Sequence, residues 1–150
     1  HCFDPDAPGE TPPATACDTV GPLGEPLKLP VIEYPHPGNQ GDAEYAGISV
    51  VAGYMYRGDD VPELQGQYVF GDWSLNFGSP GGQIFVATPH GSTSATGTWP
   101  MDRLMQLESF ILGFGQDSEN ELYVLTTQNT GPTGSTGAVH KIVPADDSDQ

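Results

Sequence analysis

Asp72, Trp73 and Ser74 stand together at the end of the aromatic run Tyr68-Val-Phe-Gly-Asp72. A carboxylate, an indole and a hydroxyl at a strand end could line a pocket, and Ser49 in the preceding apolar run could face the same space. A strand-end turn with Trp73 packed between sheets, and a cross-strand contact for Ser49, would explain the same residues without a ligand. Asp117-Ser-Glu-Asn-Glu121 gathers carboxylates of the kind calcium requires, but it lacks the glycine and spacing of an EF-hand and reads as a solvated hairpin turn. Arg57-Gly-Asp59 spells an integrin-type tripeptide that a turn explains equally well. His36, His90 and His140 lie in separate segments without metal-ligand spacing. The chain contains no Gly-x-Ser-x-Gly elbow, no phosphate loop and no His-Glu-x-x-His. The residues by themselves therefore name no catalytic group and no metal site.

Charge narrows the partners. The 150 residues carry a formal charge of −16 with four basic side chains, Lys28, Arg57, Arg103 and Lys141. Nucleic acid is excluded as a partner, because phosphate contacts need clustered Lys and Arg, and anionic membrane surfaces are disfavoured for the same reason. No segment is apolar enough to span a bilayer, and no signal peptide is visible. The acid excess reads either as a solvated surface without a ligand or as adaptation to high salt, where screening removes self-repulsion. The second reading places the protein outside the cell or on the surface of a halophile. A chain beginning at His1 rather than Met reads as a mature or trimmed product. Cys2 and Cys17 flank a segment rich in proline. A disulfide between them would restrict the unfolded chain by about 3 kcal/mol, and two free thiols are the alternative.

Short strands must position these groups. Residues 1–29 are Pro-rich and irregular, and 146–150 form an acidic tail. Between them, 30–145 hold apolar and β-branched runs separated by Gly, Pro and Asp. The expected strands are Val31–Tyr34, 48–57, 67–73, 83–87, 99–107, 109–114, 121–127 and 138–143, and no segment sustains a helical period. The pair at 48–57 and 67–73 forms a hairpin across the turn residues 58–66.

The chain also repeats itself. Tyr68-Val69 recurs as Tyr123-Val124, 55 residues on, and Gly82 with Pro89 recurs as Gly137 with Pro144 at the same offset, onto which Gly58 and Gly113 also fall. A recurring antiparallel unit of this length marks a β-propeller blade. The fold class is therefore all-β: about two blades of a propeller, each an antiparallel four-stranded sheet. Two blades leave open edges, which invite pairing with the missing N-terminal blades or with another chain.

Gly53-Tyr-Met-Tyr-Arg-Gly58, followed by Val61-Pro-Glu-Leu-Gln-Gly-Gln-Tyr-Val-Phe-Gly-Asp-Trp-Ser74, resembles the C-terminal region of the glucose/sorbosone dehydrogenase family. That family includes soluble PQQ-dependent sugar dehydrogenases and Hedgehog-interacting-protein-like members. Pro30-Val-Ile-Glu-Tyr-Pro-His-Pro37, Gly113-Phe-Gly-Gln-Asp117, Glu121-Leu-Tyr-Val-Leu-Thr126 and Gly137-Ala-Val-His-Lys-Ile-Val-Pro144 extend the resemblance over nearly the whole chain. It implies a six-bladed propeller with PQQ and calcium near its axis and a sugar as substrate. The family's histidine base falls outside this stretch. Ser49, Asp72, Trp73 and Ser74 would be the cofactor-facing positions. Where the family draws cations toward the cofactor, this chain holds Ser74-Leu75-Asn76-Phe77 and, in the later strand, Ser109 and Ile111. Two functions are thus expected: the C-terminal part of a secreted quinoprotein sugar dehydrogenase, inactive without its N-terminal blades, or a non-catalytic extracellular module of the same fold that binds a partner or a carbohydrate.

Overall fold

In the computed structural model, residues 20–26, 28, 30–36, 47–89, 99–131 and 133–145 are described. The chain divides into two compact units, His1–Pro30 and Val31–Gln150. In the first, Val20 and Pro26 form an isolated antiparallel bridge around a tight turn in which Gly24 takes a φ of +80°. Cys2 and Cys17 lie outside the described residues, and so does their pairing.

Among the described residues the second unit has seven strands: β1 (Val50–Met55), β2 (Tyr68–Asp72), β3 (Gln83–Ala87), β4 (Met101–Gln106), β5 (Phe110–Gln116), β6 (Leu122–Thr127) and β7 (Ala138–Lys141). They form two antiparallel meanders, β1-β2-β3-β4 and β5-β6-β7. Next-neighbour antiparallel order in successive sheets is the connectivity of propeller blades, so the all-β reading holds. The first sheet has the four strands expected of a blade. The second has three among the described residues.

Val31–Tyr34, expected as a strand, forms none. Pro30 and Pro35 flank it and lack the N–H a ladder needs. The segment is instead held at single points, where Trp99 N donates to Val31 O (2.6 Å) and Gly47 N donates to Pro35 O (3.3 Å).

Pairing registers make the two sheets corresponding units. Val51 pairs with Gly71 and Tyr54 with Val69, with one extra residue on β1 between them. Ile111 pairs with Thr126 and Phe114 with Val124, with the same surplus on β5. These are β-bulges at corresponding places. The glycine that matches Gly113 is therefore Gly53 and not Gly58. The connection from β1 to β2 contains the one-turn 3-10 helix Pro62–Leu64, whereas a tight turn at residues 117–121 joins β5 to β6. That length difference hides the match from a constant offset.

At Gly53 a Cβ would collide with the Val69 carbonyl oxygen, so the bulge demands glycine.

Two apolar clusters hold the sheets. Tyr56, Val61, Leu64, Val69, Ile84, Ile111, Leu122 and Val124 form a core drawing on both sheets. Phe70, Phe85 and Ala87 point to the opposite face of the first sheet, where Ile32, Tyr34 and Trp99 cover them. Alternation along β2 and β3 produces this division, since neighbouring residues of a strand face opposite ways.

Candidate functional site

The end of β2 carries the residues singled out in the sequence, and the structure separates them into two layers. Asp72 and Ser74 are fully buried. The Asp72 carboxylate accepts hydrogen bonds from Tyr34 Oη (2.8 Å), Ile48 N (2.9 Å) and Ser74 N (3.1 Å). Burial, and then the bond to Asp72, push the Tyr34 phenol well above its ordinary range. Ser74 Oγ donates to Ser79 O (2.9 Å) and so closes the loop that follows β2. Both side chains are committed to holding backbone in place.

Ser49 and Trp73 lie on the outer layer. Trp73 N donates to Ser49 O (2.8 Å), which fixes the two residues side by side. The Trp73 ring stacks on Phe110 at 4.5 Å between centroids and leans on Phe77 at 5.7 Å. Together they open onto a cleft of about 830 Å³. Its walls are Ile48, Val51, Ile111 and Leu112, its aromatic face is Trp73 and Phe77, and its polar groups are the hydroxyl residues Ser49 and Thr130. Phe77 is 69% exposed and Leu112 58%. Nothing in this lining titrates near neutrality, so the cleft can bind apolar or aromatic groups but supplies no acid, base or nucleophile pair.

The sequence resemblance implies PQQ with calcium, and the lining can be tested against that chemistry. A tricarboxylate cofactor needs cationic partners, and among the described residues no Lys, Arg or His side chain lines this cleft. Lys141 Nζ is 2.7 Å from Asp60 Oδ2, and Arg103 Nη1 donates to Gln83 Oε1 (3.3 Å). Among the described residues, no group of three or more His, Cys, Asp or Glu converges as a metal would require. The lining of this cleft therefore offers no charge partner for such a cofactor.

A second, smaller cleft of about 290 Å³ lies between β3 and β4 on one side and β6 and β7 on the other. It is mainly apolar, with a Thr126 Oγ1 to His140 Nε2 contact of 3.1 Å in its wall.

Sequence reasoning missed Glu121, which it placed in a solvated turn. The turn is real: Asp117 Oδ1 accepts from Glu119 N and Glu121 N, both at 2.9 Å, and Asn120 takes a φ of 66°. The Glu121 N–H contributes most to holding the Asp117 carboxyl below its ordinary value, followed by a hydrogen bond from Tyr123 Oη (3.1 Å) and then by the Glu119 N–H. Glu121, however, turns inward. Its carboxylate accepts from Tyr56 Oη (2.7 Å), Asp59 N (2.8 Å) and Asp60 N (2.9 Å). Burial pushes the Glu121 carboxyl up, but those three donors outweigh it and hold it below the ordinary range. Tyr56 is raised to about 12, first by burial and then by its bond to Glu121. A Cβ at Gly58 would strike this carboxylate, so the glycine of Arg57-Gly-Asp59 makes room for a joint between the sheets.

The fold and the cleft together describe two propeller-type blades with an uncharged aromatic recess. No family model matches the chain. Hedgehog-interacting protein of Mus musculus is 33% identical to it over 101 residues, which cover 63% of this chain and 13% of that protein. The Homo sapiens Hedgehog-interacting protein is 34% identical over 98 residues with the same shares. The chain thus spans about 13% of the length of the curated relatives it matches. Among the described residues, no helix is long and apolar enough to cross a membrane.

Proposed function

We propose that this chain is part of a non-catalytic, extracellular propeller module that binds another protein, with the cleft beside Trp73 and Phe77 as its contact surface. The observation that carries this reading is the cleft's chemistry. Exposed aromatic and aliphatic side chains surround two hydroxyl residues, while Asp72, next to Trp73 in sequence, is consumed by three internal hydrogen bonds. Apolar recesses with few polar groups are where protein interfaces place their anchoring side chains. The relatives are named for an interaction with Hedgehog, so a Hedgehog-type signalling protein is the first partner to try. The acid excess belongs to the same reading, as the surface of a secreted protein working in high salt.

The sequence resemblance to quinoprotein sugar dehydrogenases supports a competing reading, in which PQQ, calcium and a sugar occupy the module. One titration series separates the two. Wild-type protein and Phe77→Ala are titrated calorimetrically with a purified Hedgehog signalling domain, and separately with PQQ and calcium while absorbance is followed. The interaction reading expects partner binding weakened by about tenfold or more in Phe77→Ala, as for a hot-spot aromatic, and no bound PQQ. Saturable PQQ binding would overturn it.

A further inference from the structure

Strand β7 corresponds to β3. Tyr68 pairs with Ala87 and Gly71 with Ile84 in the first sheet, as Tyr123 pairs with Lys141 and Thr126 with Ala138 in the second. The far edge of β3 is taken by β4, from Gln83↔Gln106 to Ala87↔Met101. The far edge of β7 pairs with no strand among the described residues. All four β7 residues are exposed, and Val139 stands at 65%. The smaller cleft runs beside this edge, with His140 and Ile142 on the β7 side and Ile84, Leu104 and Leu107 opposite. A strand laid along β7 would satisfy the open backbone groups and lower every second side chain over that apolar floor.

The geometry points to β7 as a strand-addition site for another protein, whose segment is extended, apolar at alternate positions and flanked by Lys or Arg. Charge selects the flanks. The chain carries −16, Glu108 borders the cleft, and Asp146, Asp147 and Asp149 follow β7 in sequence. Acidic strands are repelled at low salt, and the strands of a second copy share that acidity. This inference rests on the interaction-module reading, but it is read out at residues 138–141 rather than at Phe77, so the two can fail separately.

The test uses the 150-residue chain and a synthetic peptide copying residues 101–107, the strand that fills the corresponding edge, with lysines added at both ends. Hydrogen exchange at the amides of 138–141 that face away from β6 should slow by about tenfold or more in its presence. The same peptide N-methylated at alternate residues should leave exchange unchanged, because it cannot pair. Leu104→Asp, at a position 40% exposed, should keep the fold and weaken the peptide's effect by about tenfold or more by spoiling the cleft floor. No slowing at millimolar peptide would overturn the proposal. So would protection, without peptide, of the β7 amides that face away from β6, whether in a monomer, where the chain covers its own edge, or in a dimer, where a second copy does.

Discussion

Glu121 shows how a side chain that reads as surface becomes a fastener. Its three donors lie 61 to 65 residues away in sequence, so no local pattern could announce them. Asp72, Trp73 and Ser74 are neighbours in sequence at the end of β2, and Ser49, just before β1, comes beside them through the β1–β2 pairing. Their division into a buried pair and an exposed pair was not legible, since that depends on which way the next loop folds. Glu121 and Asp117 are both held below their ordinary values of 4.5 and 3.8. The stability they confer is therefore complete above those unfolded values and is lost as pH falls through the lower folded ones. Glu121→Gln should lower the melting temperature by several degrees near neutral pH, and its melting curve should change less than that of the wild type between about pH 5 and pH 3. Equal acid sensitivity in the two proteins would show that Glu121 is not the group involved. Tyr56 has the opposite sign. Raised to about 12 from 10.0, its contribution is present below the lower value and is lost as pH rises through the higher one. Tyr56→Phe should remove one late-titrating phenol from an alkaline absorbance titration.

At the scale of elements, the strands followed from alternation and turn residues, and β3 was legible to the residue. Phe70 and Phe85 cover one face and Val69 and Ile84 the other, so these runs read as buried on both sides. The bulges were not legible. Two glycines in β-rich runs gave no sign that Gly53 and Gly113 were the matching pair, because the longer β1–β2 connection shifts one strand against the repeat. Gly53→Ala tests the bulge directly. With the Val69 carbonyl in the way, it should cost roughly 1–3 kcal/mol in urea unfolding, whereas Gly113→Ala meets open space and should cost less. Equal costs would mean that the Val69 carbonyl does not crowd Gly53.

At the scale of the whole molecule, a charge of −16 on a chain with four Lys and Arg makes stability a function of ionic strength. Surface carboxylates repel over distances of about 10 Å at 0.1 M salt, and screening shortens that reach. The melting temperature should rise steadily from low salt to molar sodium chloride. A flat response would leave the acidity as solubility alone. Composition leads to this expectation, but it carries no sign of how the two sheets lock together. They are tied near both ends of β2: by Glu121 at the connection that precedes it, and by Ile111 N donating to Trp73 O (3.2 Å) beyond its other end.

The position of Trp73 has an optical consequence. The chain has two tryptophans. Trp99 is set edge-on to Tyr68, 6.2 Å away, within the aromatic cover of the first sheet, while Trp73 forms a wall of the open cleft. Anything that fills the cleft should shield Trp73 from a soluble quencher. The protein thus carries its own fluorescent gauge of occupancy, with Trp99 as the internal standard.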